Sequence, residues 1–169
     1  MFTDILYIAT DYCEQPRRGI ADFNGVPHYF VSLFDNERDD WSEVCMLFPV
    51  DHKLFDAALL GWAIERRFLV NMISQDLPYF RLNAMPDEKQ RYHNILHYID
   101  SKAVVKPELA ILANAKFVMM DPKISFNLAF VEWTKLPQAE RLHIFHDRTT
   151  WKFKKAAANN AHNTEGDLF

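Results

Sequence analysis

The dipeptide Asn24-Gly25 stands between two runs of apolar and aromatic residues, and it constrains the fold more than any other feature of the chain. A two-residue type I′ turn needs positive φ at both central positions, which Asn and Gly tolerate. The turn fixes a register in which Phe23 faces Val26, Asp22 faces Pro27, Ala21 faces His28 and Ile20 faces Tyr29. Pro27 then falls at a non-hydrogen-bonded pair, where its missing N–H costs nothing towards Asp22. Side chains alternate with a period of two, so the register also sorts the hairpin into faces. Gly19, Ala21, Phe23, Val26, His28, Phe30 and Phe34 share one; Arg18, Ile20, Asp22, Tyr29, Val31 and Leu33 share the other. Neither is polar, so helices or a partner are expected to cover at least part of both.

The rest of the chain supplies such helices. Ile5–Thr10 reads as a buried first strand followed by a loop to Pro16, and Asp35–Asp40 as a solvated charged connection. Trp41–Val50 is a further strand, with Val44, Met46 and Phe48 alternating against Trp41, Cys45 and Leu47. Asp51 is placed to cap a helix from about His52 to Ser74, whose apolar stripe is Phe55, Ala58, Leu59, Trp62, Leu69 and Ile73. Pro86, followed by two acids that suit the helix dipole, opens a second helix to about Ser101 that buries Tyr92, Ile95, Leu96 and Ile99. Pro107 opens a short turn or helix. Ala115–Met120 and Ser125–Lys135 read as a second hairpin, and Pro137 begins a last amphipathic piece. The expected fold is one α+β domain over residues 1–155. It has an antiparallel sheet built from two hairpins and an N-terminal strand, a long helix packed across it, and two or three further helices. Residues 156–169 form a polar tail with little to bury.

With 19 basic residues against 23 acidic, a formal charge of −4 offers no positive field for phosphates, so nucleic acid is not an expected partner. The richest apolar segment, Leu54–Ile73, is broken by Asp56, Glu65, Arg66, Arg67 and Asn71, so no membrane span is expected. Two cysteines and an N-terminus without a basic, then apolar, leader fit a cytoplasmic setting. With only four glycines and no P-loop, G-x-G-x-x-G or G-x-S-x-G, no cofactor is expected.

Two histidines, His93 and His97, lie one helical turn apart and could share a metal, with Asp100 or Glu88 as a third ligand by spacing. Asn94 stands where the zincin pattern has its glutamate, so that general base is missing. His143 and His146 cluster near a helix end. Asp39, Asp40 and Glu43 are more simply solvated than catalytic, and Cys13 beside Glu14 has its thiolate disfavoured. His28, opposite the small Ala21, has room for a ring and suits a satisfied structural histidine bonded to a carbonyl or to a carboxylate such as Asp40. Arg66 falls inside the apolar stripe, either lying at its edge over apolar surface or anchoring a pocket. His28, Trp41, Trp62 and Arg66 are therefore the candidate binding residues. Abundant aromatics without catalytic motifs favour a non-enzymatic interaction or regulatory protein, whose partner is another protein or a second copy. The alternative is a small metal-assisted hydrolase using His93 and His97.

The pattern Gly19-x-Ala21-x-Phe23-x-Gly25-x-Pro27-His28-x-Phe30, then Phe48-x-Val50-Asp51 and a helix carrying Trp62 and Arg67, resembles a widespread group of bacterial hypothetical proteins. The likeness spans roughly the first 70 residues, and Val131-Glu132-Trp133 looks like a closing strand of the same group. It implies a bacterial or phage-borne cytoplasmic setting and no catalytic residue.

Overall fold

The computed structural model describes residues 3–74, 86–119 and 129–137. Its strands are β1 (Asp4–Cys13), β2 (Gln15–Phe23), β3 (Val26–Asp35), β4 (Asp40–Pro49), β5 (Ile111–Met119) and β6 (Ala129–Lys135). Among the described residues, two helices, α1 (His52–Ser74) and α2 (Pro86–Lys102), and a 3-10 turn at Pro107–Leu109 lie between β4 and β5. Every strand pairs antiparallel with the next, and β6 returns to β1 through Asp4↔Val131 and Ile5↔Phe130. The sheet is thus a closed six-stranded barrel.

This corrects the expected open α+β sheet. Two apolar faces do call for two covers, but only one of them is helical here. The other face looks across the barrel at itself. Closure also needs a hairpin absent from the expectation: the segment from Asp11 to Pro16, read as a loop, is the end of β1 and the start of β2, with Glu14 at φ 58° in the turn. Among the described residues, α2 and the 3-10 turn are the only helical elements besides α1. The amphipathic piece beyond Pro137 and the polar tail lie outside the described residues.

The hairpin register set by Asn24-Gly25 is the one observed, from Phe23↔Val26 to Ile20↔Tyr29. Both turn residues have positive φ, 54° and 74°. The Asp4 carboxylate accepts from the amides of Asn24 (3.1 Å) and Gly25 (3.0 Å), which ties the start of β1 to this turn.

Leu6, Ala21, Phe23, Phe30, Cys45, Leu47, Ala113, Ala115, Ala129 and Val131 fill the interior, with Phe117 and Trp133 against them. Small and large side chains are mixed there, as the limited width of a small barrel demands. Outside, Ile8, Ile20, Tyr29, Met46, Phe48 and Leu112 pack with Leu54, Ala57, Ala58 and Ile64 of α1 and with Ile95 and Ile99 of α2. His28 thus belongs to the interior face, not to a helix-covered one.

Asp51 caps α1 as its position suggests, its Oδ1 accepting from the Leu54 amide at 2.9 Å. The buried side of α1 is turned from the expected stripe, however, and runs through Leu54, Ala57, Ala58, Gly61, Ile64 and Phe68. At Gly61 the helix comes so close to the barrel that a Cβ would lie 2.4 Å from Ile8 Cδ1.

Candidate functional site: a split in the barrel wall

The ladder between β4 and β5 runs from Leu47↔Ile111 to Val44↔Asn114 and stops. Beyond that point β4 continues along β3 as far as Asp35↔Asp40, while β5 continues along β6 from Ala115↔Trp133 to Met119↔Ala129. The two strands therefore part, and Asp40–Glu43 and Ala115–Met119 face one another without a shared ladder. The cause is local to β4. Between the pairs Ser32↔Cys45 and Phe34↔Trp41, β3 advances two residues while β4 advances four. Such an excess bends the longer strand and ends its regular pairing. Two amides of this stretch use side-chain acceptors: Trp41 N–H donates to Asp40 Oδ1 (2.7 Å) and Val44 N–H to Ser42 Oγ (3.0 Å).

Inside the split, the rings of Phe34 and Trp41 meet edge to face at 5.3 Å. The Arg17 guanidinium stands 5.4 Å from the Trp41 ring centroid. Arg17 is only 8% exposed, its Nε donates to the Cys13 carbonyl at 3.1 Å, and among the described residues no carboxylate pairs with it. On the β5 side Phe117 packs on Phe30 (5.5 Å) and Trp133 (6.2 Å). The outer rim is acidic, with Glu37, Asp39, Asp40 and Glu43 all exposed. Arg38, the cation within that run, is held by Asp35 at 3.5 Å.

Two polar clusters outside the barrel hold the helices in place. Asp100 of α2 accepts from Thr10 Oγ1 (2.6 Å) and Tyr29 OH (2.9 Å), with Arg18 Nη1 at 3.9 Å. Under α1, Tyr7 OH donates to Asp22 Oδ2 at 3.0 Å, and its ring meets Phe55 and Trp62. Burial, helped by Asp22, pushes the Tyr7 phenol up to about 12, so it stays a neutral donor. Burial also raises the Asp22 carboxyl above its ordinary range. The Cys45 thiol, sealed in the interior beside Ser32, is pushed up to about 12 by burial and is inert at neutral pH.

The residues singled out from the sequence fall in three places. His28 lies inside at the β2–β3 end, where its Nδ1 is 2.7 Å from the Val26 carbonyl and its ring packs on Phe23. Trp41 lies at the far end of β3 and β4, in the split. Trp62 and Arg66 ride on α1, the guanidinium 4.2 Å over the indole. They form no common surface. His93 and His97 are exposed on α2. Both spacing-derived third ligands are engaged elsewhere, Asp100 on the barrel and Glu88 with Arg67. Among the described residues no group of three His, Cys, Asp or Glu is placed to hold a metal. His143 and His146 lie outside the described residues. Arg17 and Tyr7 went unnoticed in the sequence, where one begins a run of two arginines and the other sits in an apolar strand.

Glu65 of α1 carries a stability prediction. Burial pushes its carboxyl up to about 7 from an ordinary value of 4.5. The folded state then holds a proton that the unfolded chain releases, so stability is greatest below the unfolded value and declines as pH rises from about 4.5 to about 7. Glu65→Gln is expected to flatten that decline and to stabilise the protein by about 1–3 kcal/mol at about pH 8. Urea denaturation of both proteins at about pH 5 and about pH 8 measures it; equal differences at the two pH values would refute the assignment.

The fold and site define a class: a six-stranded antiparallel barrel with a helical pair inserted between β4 and β5, its wall parted beside that insertion. Set against protein-family models, curated proteins and solved structures, the chain finds no match. No helix among the described residues is long and apolar enough to cross a membrane.

Proposed function

We propose that the chain is a non-enzymatic interaction protein of the cytoplasm that receives a protein partner at the split between β4 and β5. One observation carries this reading: among the described residues an otherwise closed barrel leaves two strand edges without a ladder where aromatic side chains stand behind them. Unpaired strand edges are templates for another chain, and closed barrels otherwise abolish them. The metal-assisted hydrolase gains no support, because Asp100 and Glu88 already serve other partners.

The test is photocross-linking in the source cell. A photoreactive residue in place of Glu43 is expected to give a discrete protein adduct, while the same residue in place of the exposed Lys53 on α1 gives none. Absence of any adduct at Glu43, or the same adducts from both positions, would count against the proposal.

A further inference from the structure

We infer that the β4 edge at Asp40–Glu43, which carries no ladder to β5 among the described residues, takes an extended basic segment of a partner protein as an added strand. This rests on the interaction reading above and narrows it to one binding mode and one sign of charge. Strand addition draws affinity from main-chain hydrogen bonds and specificity from alternate side chains. The β4 edge has the first requirement, since among the described residues its ladder to β5 ends at Val44 and none runs along that side of Asp40–Glu43. A polar donor also waits behind it. Arg17, more than nine-tenths buried and beside Trp41, commits its Nε to Cys13, and among the described residues its terminal nitrogens have no acceptor, so they suit carbonyl oxygens of an incoming strand.

Charge decides the occupant. Edge strands are commonly protected by lysine, but this one is flanked by Asp39, Asp40 and Glu43, with Glu37 in the preceding loop. The exposed cations nearby are taken, Arg38 by Asp35 and Lys116 on the facing edge by Glu132 at 3.1 Å, while Arg17 lies buried behind the strand. A second copy presenting the same acidic edge would be repelled, as would an acidic segment. A segment alternating Lys or Arg with aliphatic or aromatic residues meets both demands, its basic side chains against the acidic rim and its apolar ones against Phe34 and Trp41.

Fluorescence anisotropy of the full chain with three synthetic peptides tests this. All alternate the same apolar residues, one with Lys, one with Glu and one with Ser. The Lys peptide is expected to bind, to weaken about tenfold on raising salt from about 0.05 M to about 0.5 M, and to protect the amides of Trp41–Glu43 from hydrogen exchange. The double variant Asp40→Lys/Glu43→Lys, two exposed changes that spare the core, should bind it at least about tenfold more weakly. Ser42→Pro, removing an edge N–H, should also lose it, with thermal unfolding of each variant verifying the fold. Equal binding of the Ser or Glu peptide, protection elsewhere, or self-association protecting Trp41–Glu43 would overturn the inference. Failure of all three peptides while Glu43 still yields its adduct would overturn the inference and leave the interaction reading standing. Failure of both experiments removes both.

Discussion

Gly19→Ala is expected to cost about 3 kcal/mol or more and to leave much of the chain unfolded at ambient temperature. A Cβ at this position would stand 2.0 Å from the Ile8 carbonyl oxygen and 3.0 Å from Ala9 Cα. Those are backbone atoms, so no rotamer change relieves the overlap. The strand itself would have to shift. It is held on both sides, because Gly19 pairs with Ala9 of β1 and with Phe30 of β3, whose ring is fully buried in the barrel. The β1–β2 ladder slips between Leu6 and Ile8 and again between Ala9 and Asp11, and the bare glycine lets the two backbones touch between these irregularities. Gly25 provides the control. It has φ +74° but open space around it, so Gly25→Ala should cost only about 1 kcal/mol, from backbone conformation alone. Equilibrium urea denaturation compares the two, and a smaller loss for Gly19→Ala than for Gly25→Ala would contradict the close-approach account.

Gly19 also marks the limit of what one chain's pattern reveals. The Asn24-Gly25 turn was legible because its register depends on two residues and their immediate neighbours. The same holds for α1, whose start follows from Asp51 and its bond to the Leu54 amide. Closure of the barrel was not legible, since it depends on Asp4 and Ile5 meeting Val131 and Phe130 at the other end of the chain. Two apolar hairpin faces fit a sheet between helix layers equally well. The β1–β2 hairpin was hidden because Glu14 takes the positive-φ turn position without Gly or Asn to announce it. The buried stripe of α1 lies about one position from the expected one because Trp62 and Phe55 pack on Tyr7 at the side of the contact. The small Ala57 and Gly61 face the barrel, where the helix must come close.

The candidate site was legible only in parts. Trp41 drew notice as an aromatic, and Asp39, Asp40 and Glu43 as a charged loop. What joins them is the point at which a ladder stops, and that follows from the extra residues of β4 between Trp41 and Cys45. Helical spacing likewise made Asp100 a plausible ligand beside His93 and His97. Its partners Thr10 and Tyr29 are 90 and 71 residues away along the chain, beyond any spacing rule.

Those partners make Asp100→Ala the second substitution of large expected effect, a loss of about 2–4 kcal/mol. Near the C-terminal end of α2 a carboxylate opposes the helix dipole, so by itself Asp100 should cost its helix about 0.3–1 kcal/mol. Its value must come from the barrel. Thr10 Oγ1 and Tyr29 OH both donate to Oδ1, and Arg18, anchored by Asp11 at 2.9 Å, adds its charge. Alanine would leave the Tyr29 hydroxyl, on a residue only 3% exposed, without this acceptor. An unsatisfied buried hydroxyl is the larger part of the penalty, which separates this site from an exposed ion pair worth under about 1 kcal/mol. Tyr29→Phe removes that hydroxyl, so Asp100→Ala made in the Tyr29→Phe background should cost at least about 1 kcal/mol less than in the wild type. Additive losses would mean that the Tyr29 hydroxyl is not what Asp100 stabilises, contradicting the assigned source of the penalty. A coupling that persists at about 1 M salt would assign the effect to the short hydrogen bonds rather than to the longer contact with Arg18.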